Sequence, residues 1–160
     1  MTSLFANQRE TNLASTVQLV EAALAELGHP APASRIRDAT ALHAWEIPKG
    51  SAVTRVTLIN RSEFTHIRVA AIVMTLDDKV DRGALHQHLL DLNAELCGAA
   101  FATNGDEILL LGERSTLDLD RSEVLELIRR VTTYADDHDD LLVARFGGSI
   151  GLRSAATAAT

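Results

Sequence analysis

The sequence predicts an α+β fold in which an antiparallel sheet of about five strands is flanked by helices, in the order α-β-β-β-α-β-β-α. Three segments repeat apolar residues at intervals of three and four, as amphipathic helices do, while five shorter segments are apolar or alternate with a period of two. Short polar turns join consecutive strands, and no strand–helix–strand alternation indicates a parallel sheet. A chain of 160 residues has the length of one domain. We expect this domain to span residues 12–146, between a flexible N-terminus, 1–11, and a flexible tail, 147–160.

The three helices are predicted from their apolar stripes and from the residues at their ends. Asp81 and Asp120 are good N-cap residues, and Glu123 would lie in the first turn of the last helix. Glycines follow each apolar stripe, as expected where a helix ends. These signals place the helices at residues 12–27, from Asp81 to Gly98, and from Asp120 or Ser122 to about Phe146.

The strands are predicted from β-branched and apolar runs separated by turn residues. The segment 52–59 is rich in Val, Thr and Ile, and 64–76 carries the strongest strand pattern in the chain. Asn104-Gly105 lies between two apolar runs, which is a strong hairpin signal. These signals place the strands at residues 41–47, 52–59, 64–76, 99–103 and 107–113.

Composition and charge exclude several classes of protein. The formal net charge is −7, and an acidic surface repels phosphate, so nucleic acid and anionic membranes are not expected as partners. A single cysteine, Cys97, excludes an internal disulfide and a multi-cysteine zinc site. We also find no secretory signal pattern and no apolar run long enough to span a bilayer. We therefore expect a cytoplasmic protein.

No catalytic or metal-binding constellation is predicted, and no cofactor is expected. His86 and His88 would point in opposite directions on a helix, so they could not share a metal ion. The acidic run 136–140 lacks the glycine turn and distal glutamate of a calcium loop, and we interpret it as a solvated helix face. Cys97, at a helix C-terminus where the dipole disfavours a thiolate, is interpreted as a small core residue. Known nucleophile and phosphate-loop motifs are absent.

The central strands are apolar on both faces, which is unusual for a sheet with one solvated side. In the segment 68–74, Val69, Ala71 and Val73 would point to one face, and Ala70, Ile72 and Met74 to the other. The helices could cover one face and part of the other; otherwise a second subunit or a partner protein covers the remainder. Under that second interpretation the predicted partner-binding residues are Ile72, Met74, Leu109 and Leu111.

Several stretches of the chain, together with the order of its elements, form a pattern that resembles a known family. They are Leu89–Leu96, Phe101–Thr103, Asp106–Leu110, Leu117–Asp120 and the long final helix. The pattern covers about residues 12–146 and resembles the YbjN family and, more distantly, type III secretion chaperone-like domains. The resemblance implies a homodimer that binds segments of other proteins. It also implies an accessory or chaperone-like role in bacterial regulation or stress response.

Two functions remain open from the sequence. The first is a non-enzymatic, dimeric protein-binding module whose partner the sequence does not identify. The alternative is a small-ligand-binding or enzymatic domain with a pocket on the sheet, in which His66 and Arg68 would supply the polar groups.

Overall fold

The computed structural model describes residues 2–49, 52–61 and 64–151. Within these ranges side chains are described from residue 12 onward, except those of Lys49 and Ala52. The tips of two predicted turns, at 50–51 and 62–63, lie outside the described residues. The same is true of residues 152–160, which make up most of the predicted tail.

The described residues form an α+β fold with an antiparallel sheet. Its helices are α1 (Thr2–Glu26), α2 (Ala31–Ser34), α3 (Arg82–Glu95) and α4 (Arg121–Phe146). Its strands are β1 (Arg35–Ile36), β2 (His43–Lys49), β3 (Ala52–Arg61), β4 (Phe64–Thr75), β5 (Ala100–Asn104), β6 (Glu107–Ser115) and β7 (Ser149–Ile150). They are ordered β1-β2-β3-β4-β6-β5, and β7 pairs with β4.

The predicted fold class is therefore confirmed, with two more strands among the described residues than the five expected. The additional strands, β1 and β7, have two residues each, which is too short for a periodic pattern. Helix α1 begins at Thr2, ten residues before its predicted start.

The predicted N-caps of the two later helices are confirmed. Asp81 accepts a hydrogen bond from the backbone N–H of Ala84 at 3.1 Å. Asp120 accepts from the Glu123 N–H at 2.9 Å, and the Glu123 carboxylate accepts from the Asp120 N–H at 2.9 Å, which completes a capping box. Helix α4 ends at Phe146, as predicted, because Gly147 adopts a φ of 84° that favours glycine.

One face of the sheet packs against α1, α3 and α4 to form a single hydrophobic core. Alternate residues of β4 and β6, among them Val69 and Leu110, are fully buried there. Helix α4 crosses β4, β6 and β3, and α1 lies beside it. At Gly112 a Cβ atom would lie 2.6 Å from Leu127 Cδ1 and 2.8 Å from the Gly98 carbonyl oxygen, so the close approach of the Gly98 backbone requires a glycine.

The outer edge of β5 is covered at one residue by a side chain of α3. The Asn93 side chain accepts from the backbone N–H of Phe101 at 2.7 Å and donates to its carbonyl oxygen at 3.2 Å. It thereby occupies the two groups that a further strand would use at this position.

Candidate functional site on the open sheet face

The face of the sheet opposite the core carries apolar side chains that the described helices do not cover. They include the partly exposed Ile59, Ala70, Ile72, Ala102, Leu109 and Leu111, none of which belongs to the core cluster of described residues. We call this surface the open face. Its register is fixed by the pairs Ala70–Leu111 and Ile72–Leu109 between β4 and β6. Directly paired residues lie on the same side of a sheet, so Ile72, Leu109 and Leu111 lie together.

Met74, the fourth residue predicted for this face, lies instead in the core, and its predicted placement is wrong. The register between β4 and β6 shifts between Ile72 and Met74, so Val73 is an additional residue in β4. This β-bulge reverses the alternation that the sequence pattern assumed. Met74 consequently pairs with Ile108 and is 0% exposed.

A groove of about 370 Å³ lies on the open face. It crosses β3, β4, β6 and β5 and is bounded on one side by the loop that contains Asp38 and Thr40. Four strands spaced about 4.8 Å apart make a surface roughly 14 Å across, which matches about four residues of an extended chain. Leu109, Leu111 and Ala70 line the apolar part of this groove.

One side of the groove is organised by Arg55, which lies between two carboxylates. Its guanidinium donates to Asp38 at 3.1 Å and to Glu46 at 2.6 Å. The Asp38 carboxylate also accepts from the hydroxyl and the backbone N–H of Thr40, at 2.6 and 2.9 Å. These hydrogen bonds from Thr40, assisted by Arg55, lower the pKa of Asp38. The loop wall is therefore fixed to the sheet by an ionised side chain at neutral pH.

A second charged cluster lies where β3, β4 and β6 meet. Glu113 receives two hydrogen bonds from Arg61, at 2.8 and 3.1 Å, and lies 3.7 Å from Arg68 Nε. The hydrogen bond from Arg61 is the main reason that the pKa of Glu113 is lowered, and the charges of Arg61 and Arg68 lower it further. Arg68 lines the groove beside Thr57 and Ala70.

Sequence reasoning identified Arg68 on this face but missed Asp38, Arg55 and Glu113. The alternation in β3 could have placed Arg55 opposite the core residues Val56 and Leu58. Its pairing with Glu46 depends on the register of β2 and β3, and its pairing with Asp38 depends on a loop conformation that no periodic pattern predicts.

Other side chains considered for chemistry do not add to this site. Cys97 is exposed just beyond the end of α3, so its interpretation as a core residue is wrong. Within the described ranges, no three His, Cys, Asp or Glu side chains are placed to hold a metal ion. No helix among the described residues is both long and apolar enough to cross a membrane.

Several solved structures share this fold at low sequence identity. A chain in the crystal structure of the ExsC–ExsE complex has a TM-score of 0.61 and 15% identity, covering 81% of this chain and 94% of that one. A chain in the HopA1–SchA chaperone–effector complex has a TM-score of 0.57 and 11% identity, covering 82% and 97%. A chain in the ExoU–SpcU heterodimer, from the type III secretion system of Pseudomonas aeruginosa, has a TM-score of 0.50 and 14% identity, covering 79% and 96%. At these identities the likeness establishes the fold.

The sequence itself matches one family model. That model, TY-Chap1, describes peptide-binding chaperones of the T3SS (YopN, CesT) and YbjN type, and it matches residues 14–153. No curated protein matches the sequence significantly. The match includes every element that forms the open face and nearly all of the described chain. The predicted resemblance is confirmed, and the chain belongs to the TY-Chap1 family of T3SS and YbjN peptide-binding chaperones.

Proposed function

We propose that this chain is a non-enzymatic chaperone that holds an extended peptide segment of a partner protein on its open face. The observation that carries the proposal is the row of apolar side chains, including Leu109 and Leu111, that lies outside the core on the face opposite the helices. Burial of on the order of 200 Å² of this apolar surface by a partner would contribute about 5 kcal/mol of favourable hydrophobic free energy to binding. The family, one of peptide-binding chaperones, supports the same role.

The proposal is tested by removing the apolar character of the open face without disturbing the core. Random peptides displayed on phage are selected against the wild-type protein, and their dissociation constants are measured by fluorescence anisotropy. The double change Leu109→Asn with Leu111→Asn should weaken binding at least about tenfold, because two apolar contacts are lost. The far-ultraviolet circular dichroism and melting temperature should stay close to wild type.

Leu110→Asn is the matched control, because Leu110 lies between these two residues in the same strand but is 0% exposed in the core. It should unfold or strongly destabilise the domain, since an amide would be buried without a partner. Equal peptide affinity of the wild type and the Leu109, Leu111 double variant would refute the proposal.

A small-ligand function is the second candidate, because His66 and Arg68 lie on the same face of β4 as Ala70 and Ile72. The groove volume falls within the range of ligand pockets. A thermal-shift screen with metals, nucleotides and metabolites separates the two functions. A rise in melting temperature with one of these compounds, lost in Arg68→Gln, would favour a small ligand over a peptide.

We further propose that the chaperone is a homodimer and serves regulation or stress response in the bacterial cytoplasm. The resemblance to YbjN proteins supports this part of the proposal. Static light scattering tests the dimer: we expect a mass near twice the 17.3 kDa of one chain at micromolar concentration. A mass of one chain at every concentration would refute the dimer and leave peptide binding untouched.

A further inference from the structure

The two charged clusters beside the groove together contain equal numbers of described arginines and carboxylates, but neither cluster is neutral by itself. On the loop side, one guanidinium, that of Arg55, donates hydrogen bonds to two carboxylates, Asp38 and Glu46. At the second cluster, two guanidinium groups, Arg61 and Arg68, share the single carboxylate of Glu113. Among the described side chains, that cluster therefore has a surplus of one positive charge.

The surplus charge is on Arg68. Arg61 engages both oxygens of Glu113 with hydrogen bonds of 2.8 and 3.1 Å, which is the bidentate geometry that arginine and carboxylate favour. Arg68 has only a 3.7 Å contact to the same carboxylate, through Nε, and no side-chain hydrogen bond to any described residue. Its side chain is 32% exposed, and it lines the groove. Donors of its guanidinium are thus available to a ligand on the open face.

We propose that Arg68 selects peptide segments that carry an aspartate or glutamate two residues from the apolar side chain that packs on Leu111. The inference rests on the proposed peptide-binding function and adds a charge requirement to it. A carboxylate in the groove would supply the partner that Glu113, already engaged by Arg61, does not. The formal charge of −7 on the whole chain acts against acidic ligands at long range. Such long-range repulsion is screened within about 8 Å at physiological salt, whereas a direct contact is not.

The register predicts the spacing of the two features in the ligand. Arg68 pairs with Glu113 and Ala70 with Leu111, so Arg68 and Leu111 are diagonal neighbours on one face. Diagonal neighbours lie about 7 Å apart. In an extended peptide, side chains two residues apart point the same way and are also about 7 Å apart. The preferred ligand should therefore have a carboxylate two residues from a Leu, Ile or Val.

The test compares peptides selected by phage display against the wild type with those selected against Arg68→Gln. Wild-type peptides should be enriched in Asp or Glu two residues from an aliphatic residue, and Arg68→Gln should lose this enrichment. Changing that acidic residue to its amide in a synthetic peptide should weaken wild-type binding about fivefold and leave Arg68→Gln binding unchanged. Arg82→Gln is the matched control, because Arg82 is an exposed arginine paired with Asp106 outside the groove. It should behave as the wild type.

The variant Glu113→Gln is an independent test of the same inference, because it retains Arg68. Removal of the competing carboxylate should strengthen the acidic preference, whereas Arg68→Gln removes it. An equal effect of the amide peptide on the wild type and Arg68→Gln, or selected peptides without an acidic preference, would overturn this inference alone. Peptides that bind equally to the Leu109, Leu111 double variant, or no selected peptides at all, would overturn the proposed function and this inference with it.

Discussion

Individual residues determine which side chains the open face presents. The apolar pattern of β4 continues without interruption from Val69 to Met74, so the sequence contains no sign of the bulge at Val73. Ile72, Leu109 and Leu111 lie on one face, as the alternation predicts, because it holds up to the bulge. The predicted position of Met74 is wrong because one added residue inverts every later side chain.

The bulge predicts a large loss of stability for one substitution in β4 and a small loss for a similar one. Met74→Thr should lower the free energy of unfolding by about 2–5 kcal/mol, because it leaves a cavity and buries a hydroxyl in the core. Ile72→Thr keeps a β-branched residue on the partly exposed face and should cost less than about 1 kcal/mol. Urea denaturation of both variants measures the difference. Equal losses of stability would show that both residues are ordinary core and that the open face is wrongly assigned.

At the scale of elements, the sequence predicts what depends on local chemistry. The caps at Asp81 and Asp120 and the end of α4 at Gly147 follow from residue type and spacing, and all three are observed. The short strands β1 and β7 and the early start of α1 were not predicted, because each depends on contacts or patterns too short or too polar to recognise. The loop wall of the groove was likewise not predicted, because the pairing of Asp38 with Arg55 that holds it depends on a contact distant in sequence.

The contact between Asn93 of α3 and the backbone of Phe101 should keep the β5 edge from pairing with another chain. Asn93→Ala would remove both hydrogen bonds to Phe101 and leave the backbone N–H and carbonyl groups of Phe101 without these partners. We expect a loss of about 1–3 kcal/mol of stability and a greater tendency to associate through the β5 edge. Asn104→Ala is the control, because among the described residues the exposed Asn104 amide bonds only to the Glu107 side chain. Sedimentation velocity and thermal melts compare the two; the same behaviour in both variants would argue against a guarding role.

At the scale of the whole molecule, one amphipathic arrangement explains both the fold and the proposed function. The three long helices bury one face of the sheet and leave the described part of the other face with apolar side chains around a groove. The sequence predicted the two apolar faces, but whether helices covered one or both depended on how the helices pack, which periodicity does not specify. The chain belongs to a family of peptide-binding chaperones, and the proposed function assigns the peptide to this open face.

The most direct test of this account is methyl NMR of the protein during titration with a selected peptide. Peptide binding should shift the methyl signals of Ile59, Ile72, Leu109 and Leu111 on the open face, and shift those of Ile108 and Leu110 in the core much less. Adjacent residues of β6 thus report on opposite faces in one experiment. Shifts centred on the groove along α4 that Leu125 and Tyr134 line, with the open-face methyls unchanged, would contradict the account.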